Sequence, residues 1–316
     1  MATAVPAPAQ WALEAESNLF YASDVSLFSA SRRLALMEDP TQPVVDVTGQ
    51  GSDMVFEPAA ELKRAFTSGG GKTELSAKGQ GFVFAQNPVF NHGTLRVELE
   101  QDLPWSSLLR LDYYYAPHLF LARNAERRSG TRQPTDEQVT SHIWSAHLEQ
   151  RPSQAVTIRL LSRYGLRLYN EAFAQRNTRF WTIGPHVEWA ITPRIDLTLG
   201  YHYERGLADG RNQPQFSDDV SYVNHYVAVG LGFRLTSRAS LFLGFDYERN
   251  DFTSALAGDD RRGTAENIYQ GEAELKQALT ESVTLTAGFQ RSMRTSSVGS
   301  RGVNDSNLWV GAEYRF

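Results

Sequence analysis

From Thr280 to Phe316 the chain alternates, and that alternation limits what it can fold into. Val283, Leu285, Ala287 and Phe289 take every second position, with Thr284, Thr286, Gly288 and Gln290 between them. A period of two puts each set on its own face of a strand, one apolar and one polar. After a loop of Ser, Gly and Arg the chain returns through Leu308, Val310, Ala312, Tyr314 and Phe316, against Asn307, Trp309, Gly311, Glu313 and Arg315. An antiparallel hairpin follows, whose greasy side must meet either a second layer of protein or something that is not water.

The same pattern recurs roughly every 20 residues, and the alternation predicts about fourteen strands, with 12 to 16 allowed. They run from Trp11 to Tyr21, Met54 to Phe66, Thr73 to Ala85, Thr94 to Leu103, Ser107 to Leu119, Thr140 to Glu149 and Val156 to Leu168. The series continues from Thr178 to Ile191, Ile195 to Tyr203, Tyr222 to Leu235, Ala239 to Tyr247 and Asn267 to Leu279, and the final hairpin completes it. Pro58 weakens the register of the second. Connections alternate in length: tight turns such as Thr192-Pro-Arg194 and Thr236-Ser-Arg238, then long polar loops over 22–52, 123–137, 170–176, 206–219, 250–263 and 295–304.

No run approaches the roughly 18 consecutive apolar residues of a membrane-spanning helix, and mean hydropathy is −0.40. That value leaves a transmembrane barrel open, because only alternate residues of its strands face lipid. The 316 residues include no cysteine, which removes thiolate metal sites and thioether haem attachment and suits passage through an oxidising compartment. A formal charge of −5 gives no reason to expect nucleic acid. Residues 1–10, an Ala/Pro segment with neither basic nor apolar core, read as a flexible tail, either a mature terminus or the edge of a longer precursor. Residues 11–316 read as one all-β domain.

A last strand that alternates and ends on Phe resembles the Gram-negative outer-membrane β-barrel proteins, in which that ending is part of the signal read by the insertion machinery. Tyr314 and Phe316 match those positions. Short turns at one end, long loops at the other and two belts of aromatics fit the resemblance. Trp11, Trp105, Trp189, Phe233 and Phe316 fall near the short turns; Tyr21, Tyr113, Tyr115, Tyr164, Trp181, Tyr201, Tyr203 and Tyr247 lie toward the loops. It implies an up-and-down antiparallel barrel in the cell outer membrane, with both termini facing the periplasm. Its implied partners are the lipid bilayer, lipopolysaccharide and the insertion machinery, and a monomer is expected.

If the apolar face meets lipid, the polar face lines a lumen. A basic arc is expected from Arg96, Arg110, Arg159, Arg163 and Arg167. Opposite it stands an acidic arc of Glu188, Asp196, Glu204, Asp246, Glu248, Glu272, Glu274 and Glu313, continuing to Glu14 and Glu16. Opposed charges would set a transverse field that favours small hydrophilic solutes. Fourteen strands exceed the eight or so whose interior side chains fill completely, so an open pore is the first reading, with the segments over 22–52 and 124–137 as candidate constrictions. An export barrel for polysaccharide or surface lipoprotein, with a periplasmic part upstream of residue 1, is a second; a plugged structural or adhesive barrel is a third. Catalysis is not expected. His142 and His225 face outward, and neighbours such as Ser141 point to the other face. No cofactor is implied, and no metal is assigned: His147, His186 and His202 are spread over three strands, while Asp218-Asp219 and Asp259-Asp260 read as solvated loop acids.

Overall fold

The computed structural model describes residues 10–28, 43–68, 71–297 and 302–316. They form fourteen strands: β1 (Gln10–Ala22), β2 (Asp53–Ser68), β3 (Gly71–Phe84), β4 (His92–Leu103), β5 (Ser107–Ala125), β6 (Pro134–Gln150) and β7 (Val156–Tyr169). There follow β8 (Thr178–Thr192), β9 (Ile195–Ala208), β10 (Tyr222–Arg234), β11 (Ala239–Phe252), β12 (Ala265–Ala278), β13 (Val283–Ser296) and β14 (Val303–Arg315). Each strand pairs antiparallel with its neighbours in sequence, and β1 also pairs with β14, from Glu14 opposite Arg315 to Ala22 opposite Asn307. The sheet therefore closes into an up-and-down barrel with no free edge. Of the expected tail, Gln10 lies in β1; residues 1–9 lie outside the described residues.

Several strands run further toward the loops than alternation predicts. Above the apolar band both faces meet polar surroundings, so the period of two no longer shows. Thus β9 continues past Tyr203 to Ala208, and β11 past Tyr247 to Phe252. The largest correction is the loop expected over 123–137, which shrinks to 126–133. Register shifts between Ala116 and Leu119 and between Phe120 and Ala122 absorb Pro117 and His118, the latter at φ +47, and pairing resumes beyond them. Leu119 and Leu121 pack with Val139, Tyr169 and Phe173, while Phe120 joins an apolar cluster inside the barrel.

The distribution of side chains is inverted relative to a soluble protein. Trp11 is 61% exposed, Leu308 53% and Val310 60%, whereas the inward Arg167, His202 and Glu204 are 1% exposed or less. An exposed apolar wall around a polar interior is stable only where the wall meets hydrocarbon.

Two inward glycines hold the packing of that interior. A Cβ on Gly184 would lie 1.9 Å from the Tyr201 carbonyl oxygen, and one on Gly288 would lie 2.1 Å from the Trp309 ring. Gly288→Ala is expected to displace Trp309 and to cost about 1–3 kcal/mol, the usual penalty of overpacking. The check is the temperature at which the folded barrel loses its fast mobility on SDS gels. Gly79→Ala, where nothing lies within 4 Å of the new Cβ, should leave it unchanged or slightly raised.

Candidate functional site

The described parts of the first long connection fold back into the barrel. Residues 25–28 make one helical turn, begun by Asp24, whose Oδ1 accepts from the Ser26 backbone N–H at 3.0 Å and whose Oδ2 accepts from the Gly49 N–H at 2.7 Å. Val25 and Phe28 from this turn pack against Phe20, Phe82, Phe84 and Trp309. Residues 43–50 form a strap on the other side of the interior. There Asp46 meets two arginines: Arg261 Nη2 donates to both of its oxygens at 2.6 and 2.7 Å, and Arg176 Nη1 lies 2.7 Å from Oδ2. Arg176 also donates to Glu137 at 2.8 Å and, by Nε and Nη2, to Asp218 at 2.8 and 3.0 Å. Arg261 Nη1 donates to the same Asp218 at 2.9 Å. Four connections are thus tied at one point.

Burial by itself would raise the Asp46 carboxyl, but the Arg176 and Arg261 guanidiniums outweigh it and hold it well below the usual carboxylate range. Asp218 behaves alike, with burial opposed by Arg176 and then Arg261. Carboxyls lowered on folding contribute stability above their unfolded value and lose it only as pH falls through the folded one. The strap is therefore expected to stay latched from about pH 8 down to about pH 4. Protease cleavage within 43–50 measures this, and an onset of cleavage near about pH 6 would contradict it. A cleft of about 620 Å³ opens beside the strap, lined by Asp46, Arg127, Arg176, Arg261, Glu266 and Arg294.

Below the strap lies a belt of packed inward side chains. Asn18 on β1, Glu57 on β2, Tyr114 on β5, His202 on β9, Gln270 on β12 and Asn307 on β14 are all under 4% exposed. Arg167 Nη1 donates to the Tyr222 hydroxyl at 2.7 Å, lies with its guanidinium carbon 4.3 Å over the Phe180 ring, and Tyr222 in turn donates to Glu204 at 2.5 Å. His186 and His202, expected to be scattered, meet with Nε2 atoms 2.5 Å apart, because each imidazole lies over a glycine, Gly200 and Gly184. Nearer the short turns, inward groups such as Glu14, Glu98, Glu188, Asp196, Glu272 and Glu313 are only half-buried or exposed, and they surround an open vestibule.

All five expected arginines of the basic arc face inward, but they do not form a cationic stripe. Arg96 lies 3.8 Å from Asp112, Arg110 bridges Glu98 and Glu100, and Arg159 reaches Glu149 at 3.0 Å and Glu188 at 3.1 Å. Arg163 is buried, as is Arg167. Asp112, Glu98, Glu100 and Glu149 sit at alternate positions of the same or neighbouring strands, so the pattern that placed the arginines inward also placed them; reading the arc by cations alone missed these four, while Glu188 was expected inward. Pairing shortens the reach of each charge, which reduces the expected transverse field to a bias from the acidic side.

On that side Asp246 accepts from Tyr226 at 2.6 Å, and Glu248 from Asn224 at 2.7 Å and Asn250 at 2.8 Å. Glu274 lies 3.2 Å from Lys276, Glu313 accepts from Arg315 at 2.8 Å, and Glu272 is half-buried. Inward cations on β8–β14 are Lys276 and Arg294, with Arg234 and Arg315 at strand ends, so carboxylates outnumber them there. Outside, the Tyr113 hydroxyl meets His142 Nδ1 and the Tyr201 hydroxyl meets His225 Nδ1, both at 2.8 Å. Ser141 is buried, and Ser221 accepts from the Ala208 N–H. The loop acids Asp218 and Asp259 are spent on Arg176, Arg261, Ser254 and the Asp219 N–H. Among the described residues no group of three or more His, Cys, Asp or Glu is placed to hold a metal.

Residues 109–316 match the family described as outer membrane protein beta-barrel domain. The chain belongs to that family. Its place is the outer membrane, and its architecture is porin-like. No curated protein matches the sequence. Among solved structures it is similar to the outer membrane channel DcaP of Acinetobacter baumannii, at 9% identity and TM-score 0.54, covering 98% of this chain and 97% of that one. It is also similar to an anion-selective porin from Comamonas acidovorans, at 9% identity and TM-score 0.51, over 98% and 99%. At such identity the likeness is one of fold.

Proposed function

We propose that this barrel is a narrow outer-membrane pore for small hydrophilic solutes, with a preference for cations, and that the strap closes its loop-side half. One observation carries the reading: a half-open vestibule whose β8–β14 side bears more carboxylates than cations leads up to a closure pinned by the ion pairs of Asp46. Carboxylates at a mouth concentrate cations and repel anions, and side-chain ion pairs can open without unfolding a strand. Solute passage without chemistry also accords with outward histidines engaged by phenols rather than by serines. The test is single-channel recording in a planar bilayer under a salt gradient. Brief openings with a cation-directed reversal potential are expected; an anion-directed potential would refute the selectivity.

The packed belt favours a second reading, a plugged barrel that anchors its loops. Silence both in the native protein and after the strap is released would establish it. Tyr314 and Phe316 point outward at the short-turn rim with ring centroids 4.3 Å apart, accessible to the insertion machinery we assign them to. The monomeric state is proposed with the pore and is read from the mass of the detergent-solubilised particle.

A further inference from the structure

The outer wall is apolar around most of its circumference, and its outward cations toward the loops, apart from Arg123, paired with Asp136, and Arg291 on β13, gather in one basic patch. On β1–β4, toward the loops, Tyr21, Phe56, Val83 and Leu95 face outward and no cation stands among them. On β8–β11 the outward positions at that end include Arg179, Arg205, His225 and Arg249. Strand pairing gathers them: Arg205 is opposite Trp181, two residues from Arg179, while Tyr203, His225 and Arg249 lie in one row across β9, β10 and β11. Immediately toward the middle of the wall come Ile183, Leu199, Val227 and Phe245, all exposed. The patch therefore sits just above the apolar band, over the aromatic belt.

Its cations are poorly matched from within. The Arg179 side chain makes no ion pair or hydrogen bond among the described residues. Arg205 has one long contact, Nη1 to the Tyr222 carbonyl at 3.4 Å, and Arg249 is held by Asp251, the acid of this stretch. Tyr201 engages His225 at Nδ1, which fixes the ring. Arginines at the edge of hydrocarbon need an anionic counterpart at the same depth, and the lipid headgroup supplies one. The guanidinium fork fits phosphate oxygens two at a time, and adjacent strands about 4.8 Å apart let one headgroup reach several.

We propose that Arg179, Arg205, His225 and Arg249 form a binding site for the phosphate groups of an outer-leaflet phosphorylated glycolipid. The site depends on residence in the outer membrane and not on conduction, so its failure and that of the pore reading are separable. Native mass spectrometry of detergent-solubilised protein, titrated with a bis-phosphorylated lipid A and with its dephosphorylated form, tests it. The expected result is retention of the phosphorylated lipid, reduced roughly tenfold or more (about 1.4 kcal/mol per decade) in Arg179→Ala/Arg205→Ala/Arg249→Ala. Arg64→Ala, an outward arginine at the opposite rim packed 5.1 Å over Trp11, should retain it fully. Should the triple variant fail to insert, the pair Arg179→Gln/Arg205→Gln carries the same expectation. Equal retention of the dephosphorylated lipid, undiminished retention by the variants, or displacement by millimolar inorganic phosphate would each overturn the assignment.

Discussion

Arg176→Ala is expected to release the strap. The change removes the cation to which Asp46, Glu137 and Asp218 all converge, leaving three carboxylates facing one another with Arg261 alone between two of them. Removing one partner of a buried ion pair costs about 3–5 kcal/mol, so the open state of the strap should gain roughly two to three and a half decades in population, at about 1.4 kcal/mol per decade. Two measurements read this. Proteolysis within 43–50 should quicken by that factor, because local opening limits cleavage, and open probability in a bilayer should rise with it. Arg176→Lys keeps the charge but not the planar fork that serves three acids, and should fall between. Cleavage at the native rate in Arg176→Ala would show that the strap is held elsewhere. Faster cleavage with no current would favour the plugged barrel.

Neutralising the vestibule is expected to abolish the cation preference. Asp196→Asn with Glu272→Gln, Glu274→Gln and Glu313→Gln removes carboxylates that the structure leaves half-buried or exposed. A cation-to-anion permeability ratio of roughly several-fold should move to about one. Raising the ionic strength of native protein should act in the same direction, since screening shortens the reach of the charges. Glu98→Gln with Glu100→Gln should move the ratio less, because it removes two carboxylates rather than four and Arg96, Arg110 and Arg159 stand on that arc. An unchanged reversal potential in the first variant would mean that the permeant path does not pass these residues.

Much of the architecture was legible beforehand because a strand writes its two faces into alternate residues. Leu241 and Leu285 could be assigned to one face and Asp246 and Glu272 to the other from spacing alone, and a period of two repeated through the chain leaves few folds besides a closed sheet with inverted sides. Spacing failed where the period stops carrying information, above the apolar band. There β5 and β6 run on past a bulge at Pro117 and His118, which no alternation announces.

What tertiary structure alone decided is the state of the interior. Asp46, Arg176 and Arg261 lie in connections with no periodicity, and only folding the first long connection inward brings them together. His186 and His202 meet because two glycines on facing strands leave room for their rings. Local sequence determines which way a side chain points, since that depends on its neighbours along one strand; what it then touches depends on closure of the whole sheet, which joins residues far apart in the chain.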